Sequence, residues 1–164
     1  MSTVPSVPEG FNTMSCHVVV KGASDAIEFY KKAFDATERC RMAAPDGSLM
    51  HSELQIGNST FMLVDENPAW GCMGPGSSGG SPVTLHLYVD DADAVFSQAV
   101  AAGGTAEMPI TDMFWGDRYG KLKDPFGHSW SIATHKEDLT PEEIGERAAA
   151  MFSGDGECPG EAGQ

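Results

Sequence analysis

Two histidines, His17 and His86, stand 69 residues apart, each third in a largely apolar run, SCHVVV and TLHLYV. An imidazole titrates near neutrality and can serve as acid, base, hydrogen-bond partner or metal ligand. Two of them at matching places could converge on one metal or one substrate oxygen, although a histidine on a strand is as readily a hydrogen-bonded, half-exposed residue. His51 and Glu53 lie two apart in LMHSELQI, which puts both on one face if that run is a strand. Thr84, Tyr88 and Ser131 share the histidines' parity in neighbouring runs, and Trp115 and Tyr119 in FWGDRYG offer apolar walls with polar tips. Arg118 and Lys121 would meet a ligand's negative charge or remain solvated. The expected acid, base and hydrogen-bonding groups are therefore His17, His86 and Glu53. The expected pocket residues are His51, Thr84, Tyr88, Trp115, Tyr119 and Ser131.

What must position these groups is a repeat. At an offset of 69 residues, SCHVVVKGASDAIEFYKKAFDATE aligns with TLHLYVDDADAVFSQAVAAGGTAE, so that His17 meets His86 and Glu38 meets Glu107. Each copy opens as a strand and then takes a helical period, with Ala26, Ile27, Tyr30, Ala33 and Phe34 on one apolar face in the first and Ala92, Val95, Phe96 and Ala99 in the second. Gly103-Gly104 ends the second helix. Gly57-Asn58 between two alternating runs marks a hairpin, and Asp124-Pro125-Phe126-Gly127 marks a type I turn, with His128 at that turn and His135 after the last strand both expected at the surface. The fold class is α+β: two tandem βαβββ modules, residues 14–66 and 82–135, forming a cupped eight-stranded sheet with helices on the outside. Alternation sets Val18, Val20, Leu54, Phe61 and Leu63 towards the helices and leaves His17, His51 and Glu53, with Thr84, His86, Tyr88 and Ser131, on one open wall.

Around the modules lie an N-terminal extension, residues 1–13, and a Gly/Pro/Ser-rich connector from Asp65 to Pro82 that reads as mobile. Thr140-Pro141-Glu142-Glu143 is a capping box opening a last helix, after which an acidic, disordered tail is expected; helix and tail span 140–164. The net charge is −14, which disfavours nucleic acid and anionic membranes as partners. Half of it sits on residues 137–164, which hold eight acidic residues and one basic, so it describes that appendage more than the pocket. No run is long and apolar enough to span a bilayer, and MSTVPSVPEGF lacks the form of a signal peptide, so a cytoplasmic chain is expected. The four cysteines form no CxxC pair, and Cys16 reads as a small core residue.

The runs SDAIEFYKKAF, MHSELQIGNSTFMLVDE, GGSPVTLHLYVDDADAVF and FWGDRYGKLKDPFGHSWSIATHKEDLTPEE resemble the PhnB-like branch of the glyoxalase/bleomycin-resistance, or vicinal oxygen chelate, superfamily, over residues 14–148. The resemblance implies a homodimer and a small-molecule pocket inside the cup. It also implies a divalent metal held by His or Gln and Glu, but those positions fall on Ser15, Met62, Thr84 and Ser131, so glyoxalase I activity is not carried over. A site rebuilt from His17, His86 and Glu53 is the remaining metal arrangement, and the cofactor is otherwise unknown. The implied function is a lyase, isomerase or dioxygenase acting on a small oxygen-rich substrate. The alternative is a non-catalytic, antibiotic-binding protein of the bleomycin-resistance kind.

Overall fold

In the computed structural model, which describes residues 4–153, each copy of the repeat folds as strand, helix and three strands. The first module comprises β1 (His17–Val20), α1 (Ala23–Phe34), β2 (Thr37–Ala43), β3 (Leu49–Ile56) and β4 (Ser59–Asp65). The second comprises β5 (Thr84–Tyr88), α3 (Ala92–Ala101), β6 (Thr105–Asp112), β7 (Asp117–Lys123) and β8 (Ser129–His135). A one-turn helix, α2 (Pro75–Ser78), lies between them and α4 (Pro141–Ser153) follows. The eight strands form two four-stranded sheets, ordered β1-β4-β3-β2 and β5-β8-β7-β6, with parallel β1–β4 and β5–β8 pairs.

The same position in each copy ties helix to sheet. Asp65, at the end of β4, accepts the backbone N–H groups of Gly22 and Ala23 at 2.8 Å and, through its other oxygen, that of Leu49 at 2.8 Å. Its counterpart 69 residues on, Thr134, accepts the N–H of Ala92 at 2.8 Å and donates to the Val89 carbonyl at 2.9 Å. These bonds satisfy the orphan donors at the start of α1 and α3.

The modules share one core. Val18, Val20, Leu54, Phe61 and Leu63 from the first sheet cluster with Leu122, Trp130 and Ile132 from the second, with α1 and α3 among them. At its centre Tyr30 is fully buried and donates to Asp124 Oδ2 at 2.7 Å. Trp130 Nε1 donates to that same oxygen at 2.9 Å. Burial, and then the charge of Asp124, push the Tyr30 hydroxyl well above its ordinary pKa. Asp124 Oδ1 caps its own turn by accepting from Phe126 and His128 N–H at 2.9 Å each. The DPFG turn is therefore also the polar clamp between modules.

Three expectations are corrected. The connector is ordered: Pro68–Trp70 forms a 3-10 turn, Asn67 and Cys72 bridge, and Glu66 accepts from Gly74 N–H at 3.2 Å and Ser77 Oγ at 3.0 Å. Proline and glycine there fix local turns, and Pro75 is buried against Gly127. Cys16 is exposed, because β1 starts one residue later and the inward parity of Val18 and Val20 no longer covers it. His128, expected at the surface, bonds through Nε2 to the Val19 carbonyl at 3.0 Å and joins the second module to β1. The capping box forms as read, with Thr140 N–H donating to Glu143 Oε2 at 2.8 Å. The acidic tail beyond Ser153, with Cys158, lies outside the described residues.

Candidate functional site

Register places every candidate on its sheet. In the first, His17 pairs with Met62, Met62 with Glu53, and Glu53 with Cys40, so one row across the open face reads His17, Met62, Glu53, Cys40. In the second, the matching row reads His86, Ser131, Lys121, Met108. The parity expected for His17, His51, Glu53, His86, Tyr88 and Ser131 is met. The single wall is not: the groups divide between two sheets, because the inner faces of both sheets are engaged in one shared core. His17 lines a cavity of about 370 Å³ between β1, the connector and Leu85, whereas His86 lines clefts of about 190 and 400 Å³ against the β3–β4 hairpin. Among the described residues, His17, His86 and Glu53 are not grouped with three ligand atoms close to one another.

The second face holds the denser arrangement. His86 Nδ1 lies 2.6 Å from Ser131 Oγ, which orients the ring and leaves Nε2 without a protein partner among the described residues. Tyr88 meets the ring edge-on at 4.6 Å between centroids, and Tyr119 stacks on it at 6.1 Å. Burial lowers the pKa of His86, against the opposing pull of Asp117, and so favours the neutral imidazole. Trp115 packs on Tyr119 at 5.5 Å, edge to face. Beneath these rings, the buried Asp117 accepts from Tyr88 Oη at 3.0 Å, Trp115 Nε1 at 3.0 Å and His135 Nδ1 at 2.7 Å. Burial alone would raise the Asp117 carboxyl, but the bonds from His135, Tyr88 and Trp115 outweigh it and hold the pKa below its ordinary value. Sequence reasoning misses Asp117, since nothing in FWGDR distinguishes a hub from a turn residue. Lys121 shares the row of Ser131 and His86 and carries no ion pair among the described residues. Arg118 is engaged with Asp93, at 2.7 Å through Nη2, and with Asp112 at 3.1 Å. Thr84 is exposed at the start of β5.

On the first face His51 Nε2 lies 3.3 Å from Glu53 Oε1. Cys40, beside Glu53, has its thiol pKa raised by burial and by the Glu53 charge. The N-terminal extension covers part of this face: Arg39 Nη1 donates to Thr60 Oγ1 at 3.1 Å, Nη2 donates to the Glu9 carbonyl at 3.1 Å, and the guanidinium lies 5.6 Å from the Phe11 ring centre.

The positions at which the family resemblance would place a divalent ion are Ser15, Met62, Thr84 and Ser131. Three hydroxyls and a thioether do not fit a hard divalent cation, and the Ser131 hydroxyl is already committed to His86.

The comparisons with known proteins agree with this fold. The Glyoxalase/Bleomycin resistance protein/Dioxygenase superfamily profile matches residues 13–132. The protein Rv0887c of Mycobacterium tuberculosis is 47% identical over 147 residues, spanning 87% of this chain and 85% of that protein. At5g48480 of Arabidopsis thaliana is 35% identical over 133 residues, spanning 76% of this chain and 79% of that protein. Its crystal structure superimposes with a TM-score of 0.61, covering 75% of this chain and 98% of that one. A PhnB protein from Bacillus cereus shares the fold with a TM-score of 0.56 at 19% identity, covering 75% of this chain and 99% of that one.

Proposed function

This chain belongs to the Glyoxalase/Bleomycin resistance protein/Dioxygenase superfamily, and on that premise we propose that it binds a planar, oxygen-bearing small molecule on the open face of its second sheet. The observation that carries this reading is the His86 ring, fixed by Ser131 and set among Tyr88 and Tyr119 with Lys121 on the same row. Tyr88, Tyr119 and Trp115 supply ring faces for stacking, each with its polar atom placed at the edge. Lys121 meets a carboxylate or enolate oxygen, and His86 Nε2 meets a second oxygen. Asp117 holds Tyr88 and Trp115 in place, so that their ordering does not have to be met from binding energy. A homodimer, in which a second copy covers this face, suits the 64% exposure of Tyr88.

An enzymatic reading uses the same residues, with His86 as the base that takes a proton next to a carbonyl oxygen held by Lys121. His17 and Glu53, on the other sheet, would join it only across a dimer. The test is titration of the full chain with a set of aromatic carboxylates and hydroxy-carbonyl compounds, read by Trp115 fluorescence and by amide NMR shifts. Shifts centred on His86, Tyr119 and Ser131, weakened at least about tenfold by His86→Ala or Lys121→Ala, support the site. Shifts centred on His17 or β3 instead would reject it. Proton–deuterium exchange, measured with the compound at saturating concentration so that His86→Ala is still occupied, separates catalysis from binding if it is lost in that variant.

A further inference from the structure

We propose that the open face of the first sheet holds a second, distinct site: a transition-metal tripod of Cys40, His51 and Glu53 with preference for zinc. The three side chains bring one sulfur, one imidazole nitrogen and one carboxylate oxygen within 4.8 Å of one another. His51 Nε2 and Glu53 Oε1 are 3.3 Å apart. Two ligands bonded at about 2.0–2.1 Å to a tetrahedral ion stand about 3.3 Å apart, so these two already have the spacing that zinc imposes.

Strand geometry delivers the third ligand. Along the β2–β3 ladder Thr37 pairs with Gln55 and Glu38 with Leu54, which in regular register would set Arg39 against Glu53. A bulge between Glu38 and Cys40 inserts one residue, and Cys40 takes the place opposite Glu53. Arg39 is drawn instead to Thr60 and the N-terminal extension. The irregularity thus exchanges a surface ion pair for a thiol beside a carboxylate and an imidazole.

Thiolate, imidazole and carboxylate together suit zinc or cobalt and are a poor set for magnesium or calcium, which demand oxygen alone. Three protein ligands leave one position for water or for a ligand atom. The site uses none of Ser15, Met62, Thr84 and Ser131. The second module lacks it, since Met108 and Lys121 stand in the row of Cys40 and Glu53.

The experiment is Co²⁺ titration of the chelator-treated full chain, followed by the thiolate-to-cobalt charge-transfer absorption, with zinc competition and elemental analysis. One equivalent of Co²⁺ displaced by one of Zn²⁺ is expected. Cys40→Ser should abolish the absorption, and His51→Ala or Glu53→Gln should weaken binding at least about tenfold. Cys16→Ser and His86→Ala should leave the Co²⁺ absorption and its zinc competition unchanged, the latter separating this site from the proposed ligand face. Circular dichroism establishes that each variant is folded, and Glu53→Gln, which preserves shape, stands in for any that is not. Absence of the absorption, its persistence in Cys40→Ser, or its equal loss in Cys16→Ser overturns the proposal.

Discussion

Replacing Asp124 with Ala should show that the two modules are held together by a buried carboxylate as much as by apolar packing. Its side chain is 4% exposed and accepts four hydrogen bonds, from Tyr30 Oη, Trp130 Nε1 and the N–H groups of Phe126 and His128. In the variant the Tyr30 and Trp130 donors are stranded in the core, at about 1–3 kcal/mol each. The two turn amides lie closer to water and cost about 0.5–1.5 kcal/mol each. The expected loss is about 3–9 kcal/mol, a large share of the 5–15 kcal/mol that typically separates folded from unfolded chains of this kind. Tyr30→Phe removes one donor and leaves the carboxylate three others, so about 2 kcal/mol is expected. The decisive measurement is the double variant in urea unfolding. With Tyr30→Phe in place there is no hydroxyl left to strand, so the pair should be less destabilised than the sum of the singles by at least about 1 kcal/mol. Additivity within about 0.5 kcal/mol would refute the clamp, as would an Asp124→Ala loss no larger than that of the exposed Asp46→Ala.

The helix braces should be unequal: Asp65→Ala, which strands three amides, is expected to cost about 3 kcal/mol, and Thr134→Ala about 1 kcal/mol, by the same unfolding assay. Stability should also carry two opposed histidine terms. Burial lowers the folded-state pKa of His86, so the unfolded chain protonates first. Its contribution is whole above pH 6.5 and is lost as pH falls towards the lowered value. His135 is raised by its bonds to Asp138 and Asp117; its contribution is whole below pH 6.5 and is lost as pH rises through the raised value. A Tm series from about pH 5 to 8 should flatten on the acid side in His86→Ala and on the neutral side in His135→Ala. Interchanged effects would contradict the environments described.

The repeat, the strand faces and the turns are legible in the sequence because each is a local property. The 69-residue offset, the alternation in LMHSELQI and the Asp-Pro-Phe-Gly turn can all be read from short runs of residues. What is not legible depends on how elements meet. Asp124 looks like a turn former because its two turn bonds are local, whereas its bond to Tyr30 in α1 exists only once the first module packs against the second. Cys16 follows strand parity but lies one residue before the start of β1. Cys40 escapes a reading of the sequence because a single bulge decides whether it or Arg39 faces Glu53, and no residue type marks that bulge.

The paired histidines illustrate how a repeat can mislead as well as inform. His17 and His86 do occupy equivalent rows, yet their surroundings have diverged in sign and chemistry. Next to His17 stands Met62, with Glu53 beyond it; next to His86 stands Ser131, with Lys121 beyond it. The serine can bond an imidazole and the thioether cannot do so to comparable effect, so only His86 is oriented. Beyond that pair, the carboxylate of one face and the ammonium of the other favour opposite guests, a cation and an anion. Two residues before them, His51 and Tyr119 reinforce the same division, the one adding a metal-ligating nitrogen and the other an aromatic surface. Equivalence of position under the repeat thus carries different chemistry on the two sheets, and the two proposed sites are expected to be lost independently by substitution.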